Sequence, residues 1–183
     1  LIEEVPYNKL QQSNSFDTNW SSSANLTSGE SGYDSTLNAW KMTTAVSGDF
    51  VAQSLSNDGI LTFSIYAKAG SVNGIRLRMD AAVDANAYFD LTGSGSIHTT
   101  SGDIDATITS VSNGWFKVSL SANLSTTVKM AIYTTDGTTS YDNGTIYIQD
   151  AQLNSGSTAK TYYPTTTRLN IPRVDYLNNT NGS

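Results

Sequence analysis

The 183 residues contain no cysteine, which excludes disulfides and thiolate metal sites. Histidine occurs once, at His98 between glycine-rich turns. No histidine-based metal motif is therefore present, and no Gly-x-Ser-x-Gly elbow orders a Ser–His–Asp set around it. Glutamate appears only at Glu3, Glu4 and Glu30. The aspartates cluster in turn sequences, among them Asp58, Asp84, Asp103, Asp105, Asp136 and Asp142, where a carboxylate caps its own backbone. Nothing in that distribution singles out the carboxylate pair that glycoside hydrolysis needs. Lysine and arginine number 10 against 16 acidic residues, a net charge of −6. A nucleic-acid partner or an anionic membrane would ask for a concentrated basic surface. No run approaches the roughly 18 apolar residues of a membrane helix, and no signal peptide is visible. Charged residues make up only 14% of the chain and hydrophobic ones 38%, both low for a cytosolic enzyme.

Serine (25) and threonine (24) fill the gap, a composition that suits short strands joined by polar turns. Helical periodicity is nearly absent; the Ala-rich stretch Met79 to Ala87 carries Asp80 and Asp84 and no capping pattern. Period-2 alternation dominates instead. In Ile60 to Ala69, Leu61, Phe63, Ile65 and Ala67 point one way and Thr62, Ser64, Tyr66 and Lys68 the other. Strands are likewise expected over residues 75–79, 87–91, 115–122, 128–133 and 145–153, with Gly, Asn and Asp between them, as at Asn73-Gly74 and Asn113-Gly114. Many short strands with one apolar face each predict an all-β fold of two packed antiparallel sheets.

Residues 1–12 read as a lead-in, 13–166 as the β-sandwich, and 167–183 as a linker or the start of a following domain, which makes the chain part of a larger one. Opposite the core residues of the expected strands lie Tyr66, Lys68, Arg76, Arg78, Lys117, Lys129, Tyr133, Tyr147 and Gln149. If some of their strands are neighbours in one sheet, that sheet presents a Tyr/Arg/Lys/Gln surface. The bland alternative is a solvated face whose cations guard against edge pairing.

One ordered series of blocks goes further. It starts at Ser15-Phe16-Asp17-Thr18-Asn19-Trp20, Asn38-Ala39-Trp40-Lys41-Met42 and Phe63 to Gly70. It continues with Ala87 to Leu91, Val111 to Ser119 and Ile146-Tyr147-Ile148-Gln149-Asp150-Ala151-Gln152-Leu153, and closes at Tyr163-Pro164-Thr165-Thr166. Over roughly residues 13–167 the series resembles a domain repeated in bacteriophage tail-fibre, head-fibre and structural proteins, itself similar to the jelly-roll carbohydrate-binding modules of xylanases and glucanases. The resemblance implies a jelly-roll sandwich that adheres to a glycan outside the cell or on a virion surface, often with a structural calcium ion. It does not imply a particular sugar. It places a calcium ligand at Asp150, with Asn14 and Asp17 as further candidates.

Glycan recognition needs aromatic faces for sugar C–H surfaces and planar polar groups for hydroxyls. Arg76 and Arg78 lead the candidates, being two apart on one strand, with Tyr66, Lys68, Lys117, Tyr133, Tyr147 and Gln149 beside them. Trp20, Trp40 and Trp115 read as packing. The expected function is a non-catalytic module that attaches a larger phage or secreted protein to a polysaccharide. The alternatives are a virion or fibre decoration domain without a ligand and a small glycoside-cleaving jelly roll.

Overall fold

The computed structural model of the chain describes residues 7–82, 84–125 and 127–166. Within them the strands are β1 (Ser21–Ser22), β2 (Asn25–Glu30), β3 (Ala39–Thr43), β4 (Phe50–Ser56), β5 (Gly59–Ala69), β6 (Gly74–Asp80), β7 (Ala85–Asp90), β8 (Ser96–Ser101), β9 (Asp105–Ser110), β10 (Trp115–Leu124), β11 (Thr127–Thr135) and β12 (Thr145–Ser155). The first sheet runs β1-β4-β11-β6-β7-β8 and the second β2-β3-β12-β5-β10-β9, every pairing antiparallel. The expected all-β sandwich is therefore the observed one. Among the described residues no helix is long and apolar enough to cross a membrane.

Alternation builds the core. β5 sends Leu61, Phe63, Ile65 and Ala67 inward, and β10 answers with Phe116, Val118, Leu120 and Ala122. From the other sheet come Ile75, Leu77 and Met79 of β6 and Val128, Met130 and Ile132 of β11. Each of these side chains larger than alanine contributes about 1.5–3 kcal/mol by leaving water. Met79 to Ala87 is not a helix: Met79 closes β6 while Ala85 and Ala87 open β7, all three in the core. At Asn113-Gly114 (φ 52° and 78°) β9 turns into β10, the geometry of a type I′ turn, which twists as the strands do.

In β12 the register with β5 slips between Gln149 and Gln152. The bulge shifts the inward parity from Ile146 and Ile148 to Ala151 and Leu153, all buried, and leaves Asp150 at φ 57°. A bulge inserts an unpaired residue and re-aims side chains; here it brings Gln149 and Asp150 out towards one cleft on the outer side of the second sheet.

The ends of the described chain clasp each other. The Asn8 side chain donates to the carbonyls of Ala151 (2.9 Å) and Tyr163 (3.0 Å) and accepts from the Leu153 amide (3.0 Å). Gln12 and Ser13 donate their amides to the carbonyls of Thr166 and Thr165. Asn8 and Leu10 are fully buried, so residues 7–12, read above as a lead-in, pack as part of the sandwich.

Candidate functional site

The polar-face residues do not form one surface. Arg76, Arg78, Lys129 and Tyr133 belong to the first sheet, whereas Tyr66, Lys68, Lys117, Tyr147 and Gln149 belong to the second. Alternation puts each on the outer side of its strand, but the two groups face away from each other across the core.

On the first sheet the register lines up Phe50, Tyr133, Arg76, Tyr88 and Thr99 across five strands. The Arg76 guanidinium lies 5.1 Å from the ring centroids of Tyr88 and Tyr133 and 5.5 Å from that of Tyr141, a cation among aromatic faces. Its Nε and Nη2 donate to Asn86 Oδ1 (3.1 and 2.6 Å) and its Nη1 to the Tyr141 hydroxyl. Asn86 in turn donates to Ser101 (3.3 Å). Arg76 is thus held rigidly and is only 8% exposed, so the two arginines, although two apart on one strand, do not present a pair of free guanidinium groups. Arg78 is committed to carboxylates, 2.6 Å from Asp84 and 3.2 Å from Asp80. Lys129 lies 4.1 Å over the Phe50 ring. Alongside the aromatic row the next register positions are small, Ala52 and Ala131.

The second sheet is partly roofed. Residues 31–38 cross it, so that Tyr33 stacks on Tyr66 (3.7 Å between centroids, 11° between planes) and meets Trp115 edge-on at 6.4 Å. The Tyr33 amide donates to Gln149 Oε1 (3.3 Å), and its carbonyl accepts from Ser112 (3.0 Å). A Cβ at Gly32 would run into the Gln149 side-chain amide, so a larger residue here would displace that side chain. Gln149 is 1% exposed and serves as a post for the strap. Further along, the segment after β12 covers the sheet: Thr62 donates to the Gly156 carbonyl (2.7 Å) and Ser121 to that of Ser157 (2.9 Å). Lys117 donates to the Lys160 carbonyl (2.8 Å) and stands 5.7 Å over the Tyr66 ring, its pKa lowered by burial. Tyr66, Lys117 and Gln149 are therefore used inside the fold. Lys68 and Tyr147 line an open cleft of about 430 Å³ together with Glu30, Ser31, Ala69 and Gly70.

Of the calcium candidates, Asn14 and Asp150 meet in a second cleft, of about 510 Å³, with Tyr33, Asp34, Gln149 and Tyr162 among its walls. Asp17 is elsewhere, accepting from Thr18 at 3.2 Å. Asp150 accepts from the Tyr33 hydroxyl (2.9 Å), and its amide donates to Asn14 Oδ1 (3.0 Å). Burial pushes the Asp150 carboxyl up to about 6; the Asp34 carboxylate adds to the push and the Tyr33 hydrogen bond opposes it. Burial and the neighbouring Asp150 likewise raise the Tyr33 phenol above its ordinary value. Among the described residues no group of three or more His, Cys, Asp or Glu side chains gathers. The cleft nonetheless offers oxygen donors, as calcium prefers, and two carboxylates that repel each other without a cation.

Sequence reasoning missed Tyr33, Asp34, Asn86, Tyr141 and Tyr162. Tyr33, Asp34, Tyr141 and Tyr162 lie outside the named strands and are carried in by long-range folding. Trp20, Trp40 and Trp115 are buried, as their reading as packing requires. His98 lies on β8, whose six residues are all exposed.

No family model matches the sequence, and no curated protein matches it. Solved structures do. A Clostridium thermocellum endo-1,4-β-D-xylanase 10B piece comprising CBM22-1 and GH10 modules, crystallised with xylohexaose, is 12% identical at a TM-score of 0.50, over 85% of this chain and 29% of that one. The enzymatically active domain of bacteriophage CBA120 tailspike protein 4 is 11% identical at a TM-score of 0.46, over 80% and 21%. TmCBM61, solved with β-1,4-galactotriose, is 14% identical at 0.46, over 82% and 100%. The chain thus spans less than a third of the first two. With the two six-stranded sheets above, the likeness is one of architecture: the chain is a jelly-roll β-sandwich with the fold of carbohydrate-binding modules.

Proposed function

We propose that the chain is a non-catalytic carbohydrate-binding module whose principal site is the aromatic row on the outer face of the first sheet, and that it attaches a larger phage or secreted protein to a polysaccharide outside the cell. The observation that carries this reading is the caged Arg76. A guanidinium fixed by Asn86 and three tyrosine rings has given up its rotamer freedom before any ligand arrives, so binding loses less entropy. Tyr88 and Tyr141 offer ring faces on which a sugar can stack, Arg76 offers planar donors, and Ala52 and Ala131 leave room beside the row. Asp80 and Asp84, the carboxylates nearest Arg78, are held by it, which suits a binding surface rather than an acid–base pair. The xylanase piece of like architecture was crystallised with xylohexaose, which makes a neutral polysaccharide the first class to test. Calcium enters the proposal as a structural ion, which Asp150, Asp34 and Asn14 would hold and which would brace β12 against residues 13–15.

The test is a glycan array probed with the purified chain in calcium and again in chelator, followed by titration of the best neutral oligosaccharide against Tyr141→Ala. Tyr141 is 37% exposed, so the variant should fold with an unchanged melting temperature. Loss of its ring and of its bond to Arg76 should weaken binding about tenfold or more. An unchanged affinity moves the site off the first sheet. Silence across the array favours a decoration domain.

A further inference from the structure

The second sheet carries an independent feature. The register places Lys41, Tyr147 and Lys68 side by side on three adjacent strands, β3, β12 and β5. Direct cross-strand neighbours have Cβ atoms about 4.5–5.5 Å apart, so Tyr147 stems from the sheet between two lysines. The three residues are each partly exposed. Tyr147 and Lys68 line the open cleft of about 430 Å³ at the rim of the sheet. The only carboxylate among its described lining residues, Glu30, is already engaged by Lys41 at 3.6 Å. The Lys68 ammonium makes no hydrogen bond or ion pair among the described residues, although the protein as a whole is acidic. Of the other lysines of this outer face, Lys41 is paired with Glu30 and Lys117 is tied down on the Lys160 carbonyl. Lys68 therefore has an unspent charge beside a half-exposed ring, at the wall of a cleft the size of a sugar residue or two.

We propose that this cleft is a second glycan site, on the opposite face from the aromatic row, and that it takes an acidic sugar, with the ring stacked on Tyr147 and its carboxylate or sulfate on Lys68. The two faces differ in chemistry. On the first sheet the aromatic row centres on a guanidinium already caged by rings and an amide, and Arg78 is neutralised by two aspartates; on the second an ammonium has no counter-ion among the described residues. The module would then bind two chains, or two kinds of unit within one, through faces separated by the core. Two weak sites on one rigid body multiply where both can be engaged at once.

The experiment titrates the full chain, in chelator, with a galacturonic acid trimer and a heparin-derived tetrasaccharide, and with a galactose trimer as the neutral control, by calorimetry at low and at raised salt. At least one acidic probe should bind with one site per chain, weakened by salt. Lys68→Gln should lower that affinity about tenfold and Lys68→Arg should restore most of it, with both variants melting like the wild type. Tyr147→Leu should also weaken binding, while Tyr141→Ala should leave it unchanged. Three results overturn the proposal: neither acidic probe binds, the galactose trimer binds as well and is equally sensitive to Lys68→Gln, or the acidic probe is lost in Tyr141→Ala and kept in Lys68→Gln. The last outcome would put the acidic ligand on the first sheet and leave the principal site standing. Loss of the neutral ligand alone from the array would leave this second site unaffected.

Discussion

At the scale of single residues, Asp150 carries the most consequence. Its folded carboxyl titrates at about 6, whereas an unfolded aspartate titrates at about 4. The folded state therefore holds this proton more tightly than the unfolded chain does. Below about pH 4 both states are protonated and Asp150 has no effect; between about 4 and 6 its contribution falls as pH rises; above about 6 the full penalty is present. An asparagine in its place would have no charge to desolvate, would still accept from Tyr33, and tolerates the positive φ. Asp150→Asn in chelator should thus match the wild type at about pH 4 and be more stable by about 1 kcal/mol at about pH 7.5, allowing for partial solvent screening. Thermal melts across that range give the difference directly; a constant offset would mean that the carboxyl is not what titrates. With calcium added at the upper end of that range, the wild type should gain melting temperature and the variant should not.

At the scale of elements, the strands whose faces differ most were legible from alternation alone. β5, β6, β10 and β11 each show apolar residues two apart against polar ones, and the structure buries the apolar set of each in the core. β1, β2, β8 and β9 were not legible, because Ser/Thr-rich edge strands with largely exposed residues bury no stripe that a period could mark. The bulge in β12 left a trace that went unread: Ile148 and Leu153 are an odd number of residues apart, so both can face the core only if one extra residue intervenes. The site was half legible for a related reason. Alternation says on which side of a strand Arg76 or Tyr147 lies, but not which sheet the strand joins, so which of these residues share a face stayed open. The turn at Asn113-Gly114 was visible as a dipeptide, and its role is testable. Replacing both residues by alanine adds one Cβ at positive φ, at Gly114, and exchanges Asn113 for a residue that tolerates that region less well, and should cost about 1–2 kcal/mol in urea denaturation, with binding of the neutral glycan unchanged because neither residue lies on the aromatic row.

At the scale of the whole molecule, the sandwich is closed by its own ends. Leu10 is fully buried, and Asn8 ties the N-terminal segment to β12 and to Tyr163. Removal of residues 1–12 should therefore lower stability by at least about 3 kcal/mol, from the lost burial and hydrogen bonds together. Equal melting of the full and shortened chains would show that residues 7–12 only lie against the fold. The hydrogen bonds between Gln12 and Thr166 and between Ser13 and Thr165 also decide how the domain would respond to pulling. A longer chain would arrive at and depart from nearly the same point, so the domain would hang from it like a bead on a loop. Tension along that chain would peel these few bonds one after another, while the two sheets behind them carried no load. A glycan held on either face would stay gripped under strain until the knot at the base came undone.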